Sequence, residues 1–109
     1  MYLNYNDVNL TVTRGDTIAF AVEFDGLDQN IDTAYFTCKK NKNDNAYIFQ
    51  RSLNNGITQT DTSHLTVRVP PADTSNLEIG SYYYDLQIGV NGDVYTLLKG
   101  VLKFEYDIS

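Results

Sequence analysis

The chain has 109 residues, 42% of them hydrophobic and 13% aromatic, which is the make-up of a single globular domain and not of a disordered segment. Fourteen acidic residues against eight basic ones leave a net charge of -6. That field repels phosphate backbones and anionic bilayers, so nucleic acid and membrane surfaces are poor partners. The apolar runs are also too short to span a membrane.

The opening MYLNYNDVNL lacks the basic stretch and apolar block of a secretion signal. Residues 1 to 8 carry few core-type side chains and read as an N-terminal arm that orders against a neighbouring subunit, with Tyr2 and Tyr5 as its contacts. The domain proper is expected over 9 to 109. The tripeptide Arg14-Gly15-Asp16 follows NLTVT and raises two readings, a cell-adhesion signal or a corner of the chain.

TIAFAVEF then alternates, with Ile18, Phe20, Val22 and Phe24 on one face. After the turn-rich DGLDQN, AYFTCKK points Ala34, Phe36 and Cys38 inward and Tyr35, Thr37 and Lys39 outward. Cys38 is the single cysteine, so no intrachain disulfide forms, and its setting predicts a buried, unreactive thiol. NKNDN lacks the spacing of a calcium loop and reads as a turn. AYIFQRS is the next strand, followed by the turn NNG.

HLTVRV places Leu65, Val67 and Val69 inward and leaves His64 on the polar side beside Ser63 and Asp61. Sequence neighbours on a strand rarely converge into a catalytic group, so a solvated histidine is expected. One histidine and one cysteine cannot close a structural zinc site. PPADTSNLEIG bars a ladder and predicts one short helical turn capped by Asp73 or Thr74. SYYYDLQIGV directs Tyr82, Tyr84, Leu86 and Ile88 inward, with Tyr83 outward. VNGDVY is a hairpin, since Asn91-Gly92 suits a type I′ turn. The closing DVYTLLKGVLKFEYDI is long for one straight strand. Gly100 predicts a bulge or bend in it, with Leu98, Leu102 and Phe104 facing the core and Tyr95, like Tyr47, pointing out.

Seven to eight strands with polar turns predict an all-β, immunoglobulin-like antiparallel β-sandwich. GSYYY follows the order Gly-x-Tyr-x-core residue found at the start of the F strand in such domains, which makes Tyr82 a candidate tyrosine corner. No phosphate-binding fingerprint, metal set, cofactor motif or catalytic constellation is present, and the reading is non-enzymatic. The outward tyrosines Tyr2, Tyr5, Tyr35 and Tyr83 are candidate interface residues.

Residues 9 to 106 resemble a small immunoglobulin-like domain of tailed-bacteriophage structural proteins. The pieces that carry the resemblance are VTRGDTIAFAVEF, IDTAYFTCKK and LTVRVPPADTSNLEIGSYYYDLQIGVNGDVYTLLKGVLKF. It implies that Arg14, Gly15 and Asp16 form a tight turn between the first two strands, with Gly15 supplying backbone freedom and Asp16 accepting local hydrogen bonds. It also implies a non-enzymatic virion component, assembled in the bacterial cytoplasm and docking to other virion proteins in a multi-copy assembly or homo-oligomer. Capsid decoration, head-tail adaptor and baseplate accessory are the roles it offers. The chain stops where longer members carry a receptor-binding or coiled-coil extension, which disfavours a host-receptor role. The competing expectation is a carbohydrate-binding or host-surface adhesion module using the outward tyrosines, with weak glycan binding; the lack of tryptophan weighs against it.

Overall fold

An alternating run can form a strand with one dry face only if neighbouring runs keep register with it, and here they do. The computed structural model describes residues 6–24 and 30–106. In chain order the strands are β1 (Asn6–Asp7), β2 (Leu10–Thr13), β3 (Ile18–Glu23), β4 (Thr33–Lys39), β5 (Phe49–Leu53), β6 (Gly56–Asp61), β7 (His64–Val69), β8 (Gly80–Val90) and β9 (Asp93–Glu105). One 3-10 turn, Pro71–Asp73, separates β7 from β8.

Hydrogen bonding runs β1-β9-β8-β4-β5-β6-β7-β3, with β2 also on β9. The strip folds over on itself into two layers, β1/β2-β9-β8-β4-β5 against β6-β7-β3. The crossing is the Asn54-Asn55 turn, where Asn54 (φ 65°) and Gly56 (φ 105°) carry the chain from one layer to the other. Phe20 of β3 meets Phe36 of β4 edge-on at 5.6 Å between ring centres, which ties the layers together. Register sets Phe36 opposite Leu86, Ala34 opposite Ile88, and Ile18 opposite Val69. Phe36, Leu86, Leu65, Val67, Val69, Leu102 and Phe104 are all sealed from solvent. Tyr82 packs edge-on to Phe104 at 5.4 Å.

The architecture is all-β and immunoglobulin-like, with one departure from the expected detail. It is not purely antiparallel: β1 and β2 run parallel to β9, and β5 touches β6 in parallel. β1 and β2 form one edge interrupted at Val8-Asn9, so the strands number eight among the described residues when that edge is counted once, within the expected seven to eight.

The N-terminal boundary also moves. Asn6 and Asp7 pair with Leu98 and Lys99, and the Val8 amide donates to the Lys99 carbonyl at 2.9 Å. Residues 6 to 8 are therefore part of the sheet edge and not an arm, while residues 1 to 5 lie outside the described residues. Gly100 is what permits this approach. A Cβ there would collide with the Val8 carbonyl oxygen.

The bulge in β9 is not at Gly100. Register steps between Leu86↔Leu98 and Gln87↔Thr96, which leaves Leu97 as the extra residue. A single inserted residue reverses the alternation of everything on one side of it. Leu97 is accordingly buried, and Tyr95, expected to point outward, packs against the core. The hairpin at Asn91 (φ 54°) and Gly92 (φ 84°) has the two positive angles of a type I′ turn. The turn after Pro70 has no side-chain cap. Asp73 instead takes a bidentate contact from Arg51, with Nε to Oδ2 and Nη2 to Oδ1 both at 2.7 Å.

Candidate functional site

The corner at Arg14-Gly15-Asp16 is held down at each residue. Gly15 has φ 84°, and its amide donates to the buried Thr74 hydroxyl oxygen at 3.1 Å. The Arg14 amide donates to the Glu105 carbonyl at 3.0 Å, its Nη1 donates to the Leu77 carbonyl at 3.1 Å, and its guanidinium lies 6.0 Å from the centre of the Tyr106 ring. Asp16 donates its amide to the Thr13 carbonyl at 3.1 Å. The tripeptide turns the chain from β2 into β3, with its arginine folded back onto the protein. Tyr82 is buried, and its hydroxyl donates to the Glu78 carbonyl at 2.9 Å, four residues upstream.

The outward side chains of β4, β8 and β9 form two rows. Pairing aligns Lys39, Tyr83 and Val101 in one row and Thr37, Asp85 and Lys99 in the next. Between them lies a groove of about 560 Å³ to which Lys42, from the turn after β4, also contributes. The Lys42 ammonium sits 5.1 Å from the centre of the Tyr83 ring, a cation held against an aromatic face. Asn9 supports the wall by accepting the Val101 amide at 3.1 Å. Thr37 accepts from Gln50 Nε2 at 2.9 Å.

Burial pushes the Asp85 carboxyl above the usual carboxylate range, and the Lys39 charge partly opposes the shift. Three of the eight basic residues of an acidic chain thus line one groove. A surface of this kind can hold a partner through charge, hydrogen bonds and one aromatic ring.

Of the other interface candidates, Tyr35 is 41% exposed on the same outer face, opposite Gln87 and Ser52. Tyr47 is 53% exposed just ahead of β5. Tyr2 and Tyr5 lie outside the described residues. Sequence reading missed the lysines of the groove, because Lys39, Lys42 and Lys99 come from separate segments and only strand pairing brings them together. The cue was present in part, in the KKNK run after an alternating strand.

His64 sits between two carboxylates, with Nδ1 2.8 Å from Asp61 Oδ1 and Nε2 3.6 Å from Glu23 Oε2. The hydrogen bond and charge of Asp61, with Glu23 beyond, raise its pKa above the ordinary histidine value. Ser63 joins through its amide, which donates to Asp61 Oδ1 at 2.8 Å. Both ring nitrogens face carboxylates at an exposed strand start. Cys38 is fully buried, and burial pushes its thiol up to about 12. Among the described residues no three His, Cys, Asp or Glu side chains gather to hold a metal ion.

No protein-family model and no curated protein matches the chain. In fold it is similar to CopC from Methylosinus trichosporium OB3b, with a TM-score of 0.51 and 12% identity over 93% of this chain and 89% of that one. A likeness at that identity speaks for architecture alone, and the chain is an all-β sandwich of immunoglobulin-like type.

Proposed function

We propose that the protein is a non-enzymatic structural component of a bacteriophage virion, present in several copies and acting by docking to other virion proteins. The position is a capsid decoration, a head-tail adaptor or a baseplate accessory, assembled in the host cytoplasm. The motif resemblance across residues 9 to 106 supplies the setting, and one observation carries the mechanism. The widest layer of the sandwich turns outward a face bearing the groove, Tyr35 and Tyr83, in a fold whose end strand β3 pairs on one side only among the described residues. Tyrosine and lysine side chains on a rigid sheet, together with an open strand edge, are a means of being held in place.

Mass spectrometry of gradient-purified particles tests this. The chain is expected at stoichiometric copy number beside capsid or tail proteins, and its absence from clean particles overturns the reading. The same Tyr83-bearing groove favours a second reading, a carbohydrate-binding or host-surface adhesion module. A glycan array separates the two: specific binding that Tyr83→Ala abolishes would favour the sugar-binding module.

A further inference from the structure

We propose that the groove over β8 is the docking site for an acidic, extended segment of a partner protein. This rests on the docking reading above and names the chemistry of the partner.

Charge is the first argument. The molecule as a whole carries -6, yet Lys39, Lys42 and Lys99 converge on one groove whose single lining carboxylate among the described residues is the half-buried Asp85. Lys103 follows on the outward side of β9, opposite Ser81, and Lys40 stands at the same end of β4, with its ammonium 4.4 Å from the centre of the Tyr82 ring. Four of the eight basic residues therefore sit on this face, while Lys40 turns to the inward ring of Tyr82. Glu105 lies further along the same side of β9 and Asp44 in the turn beside Lys42, so the positive charge is concentrated at the groove itself, where it can attract carboxylates.

Spacing is the second argument. The two rows, Lys39-Tyr83-Val101 and Thr37-Asp85-Lys99, lie two residues apart along the strands, a step of about 6.6 to 6.8 Å. An extended polypeptide repeats its side chains on one face at that same interval. Laid along β8, alternate acidic side chains meet Lys39 and Lys42 in one row and Lys99 in the next. Tyr83 and Val101 between them offer apolar contact, which suits an aromatic or aliphatic residue within the acidic segment. Asp85 lies on the groove floor, where it repels a misplaced carboxylate and can accept a peptide amide. It thereby fixes the register of the incoming chain.

The test uses the full chain and a fluorescein-labelled peptide of alternating glutamate and tyrosine, read by anisotropy and by amide chemical shifts. Saturable binding is expected, with shifts centred on residues 37–39, 83–85 and 99–101 and an affinity that falls as salt rises. Lys42→Glu, in an exposed turn where folding is not at stake, is expected to weaken binding on the order of tenfold. Asp85→Asn is expected to tighten it, and Arg68→Glu on the opposite layer to leave it unchanged.

The proposal is overturned if the peptide does not bind, if Lys42→Glu binds equally well, or if a lysine-tyrosine peptide competes. It is also overturned if tri-galacturonate binds the groove while the acidic peptide does not. Particles carrying Lys42→Glu at wild-type copy number overturn the groove alone. The docking reading fails only if the wild-type chain is missing from particles.

Discussion

Among the described residues nothing lies within 4 Å of the point where a Cβ on Gly15 would sit, so the cost of a side chain there is chiefly conformational. At φ 84° a β-branched residue is strained by about 1 to 2 kcal/mol or more. Gly15→Val is therefore expected to lower the urea midpoint clearly, while Asp16→Ala, at an exposed position that contributes its amide, stays within about 0.5 kcal/mol. Equal effects would show that the corner does not depend on the glycine. Leu86 presents the opposite case. It is completely enclosed opposite Phe36 and Leu98, so Leu86→Ala is expected to cost about 2 to 5 kcal/mol in equilibrium unfolding. A neutral result would mean that the inward row of β8 is misassigned by one residue.

Among the elements, β9 is the one whose sequence misleads. Runs such as TIAFAVEF and HLTVRV declare their inner faces because nothing interrupts their alternation, and Ile18, Leu65, Val67 and Val69 are buried as that pattern demands. The bulge at Leu97 leaves no trace in composition: TLLKG reads equally well in either phase, and only pairing with β8 decides. Gly100 was visible as an anomaly, but its cause lies in Val8, far away in sequence, where no local pattern can point. The groove was legible only as scattered lysines for the same reason. Gly100→Ala should therefore act on the N-terminal edge first. Hydrogen exchange is expected to speed up at Val8, whose amide bonds Lys99, and along β2, while β4 and β7 keep their protection. Uniform loss of protection would mean that the edge and the core open as one unit.

For the whole molecule, one pH response comes from the pair at the start of β7. The His64 pKa is raised above 6.5, so its contribution is complete below that value and is lost as pH rises through the folded pKa. The Asp61 pKa is lowered from 3.8, chiefly by the hydrogen bond to His64, so its contribution holds above 3.8 and is lost as pH falls through the folded value. Both act together between those limits. His64→Ala is expected to lower stability slightly between those limits and to remove the losses above 6.5 and below 3.8, measured by urea melts at a series of pH values, with a small amplitude because the pair is exposed. An unchanged profile would show that the contacts are too well solvated to matter.

The lone thiol also gives the molecule an internal gauge. Cys38 lies one residue before the end of β4, shut away from solvent and held protonated up to about 12, so an alkylating reagent can reach it only when the two layers part. Maleimide labelling followed by mass spectrometry should then run at the rate of transient separation. It should slow when a partner clamps the sandwich and quicken in Leu86→Ala. Labelling as fast as that of a free thiol would mean that the interior breathes without unfolding.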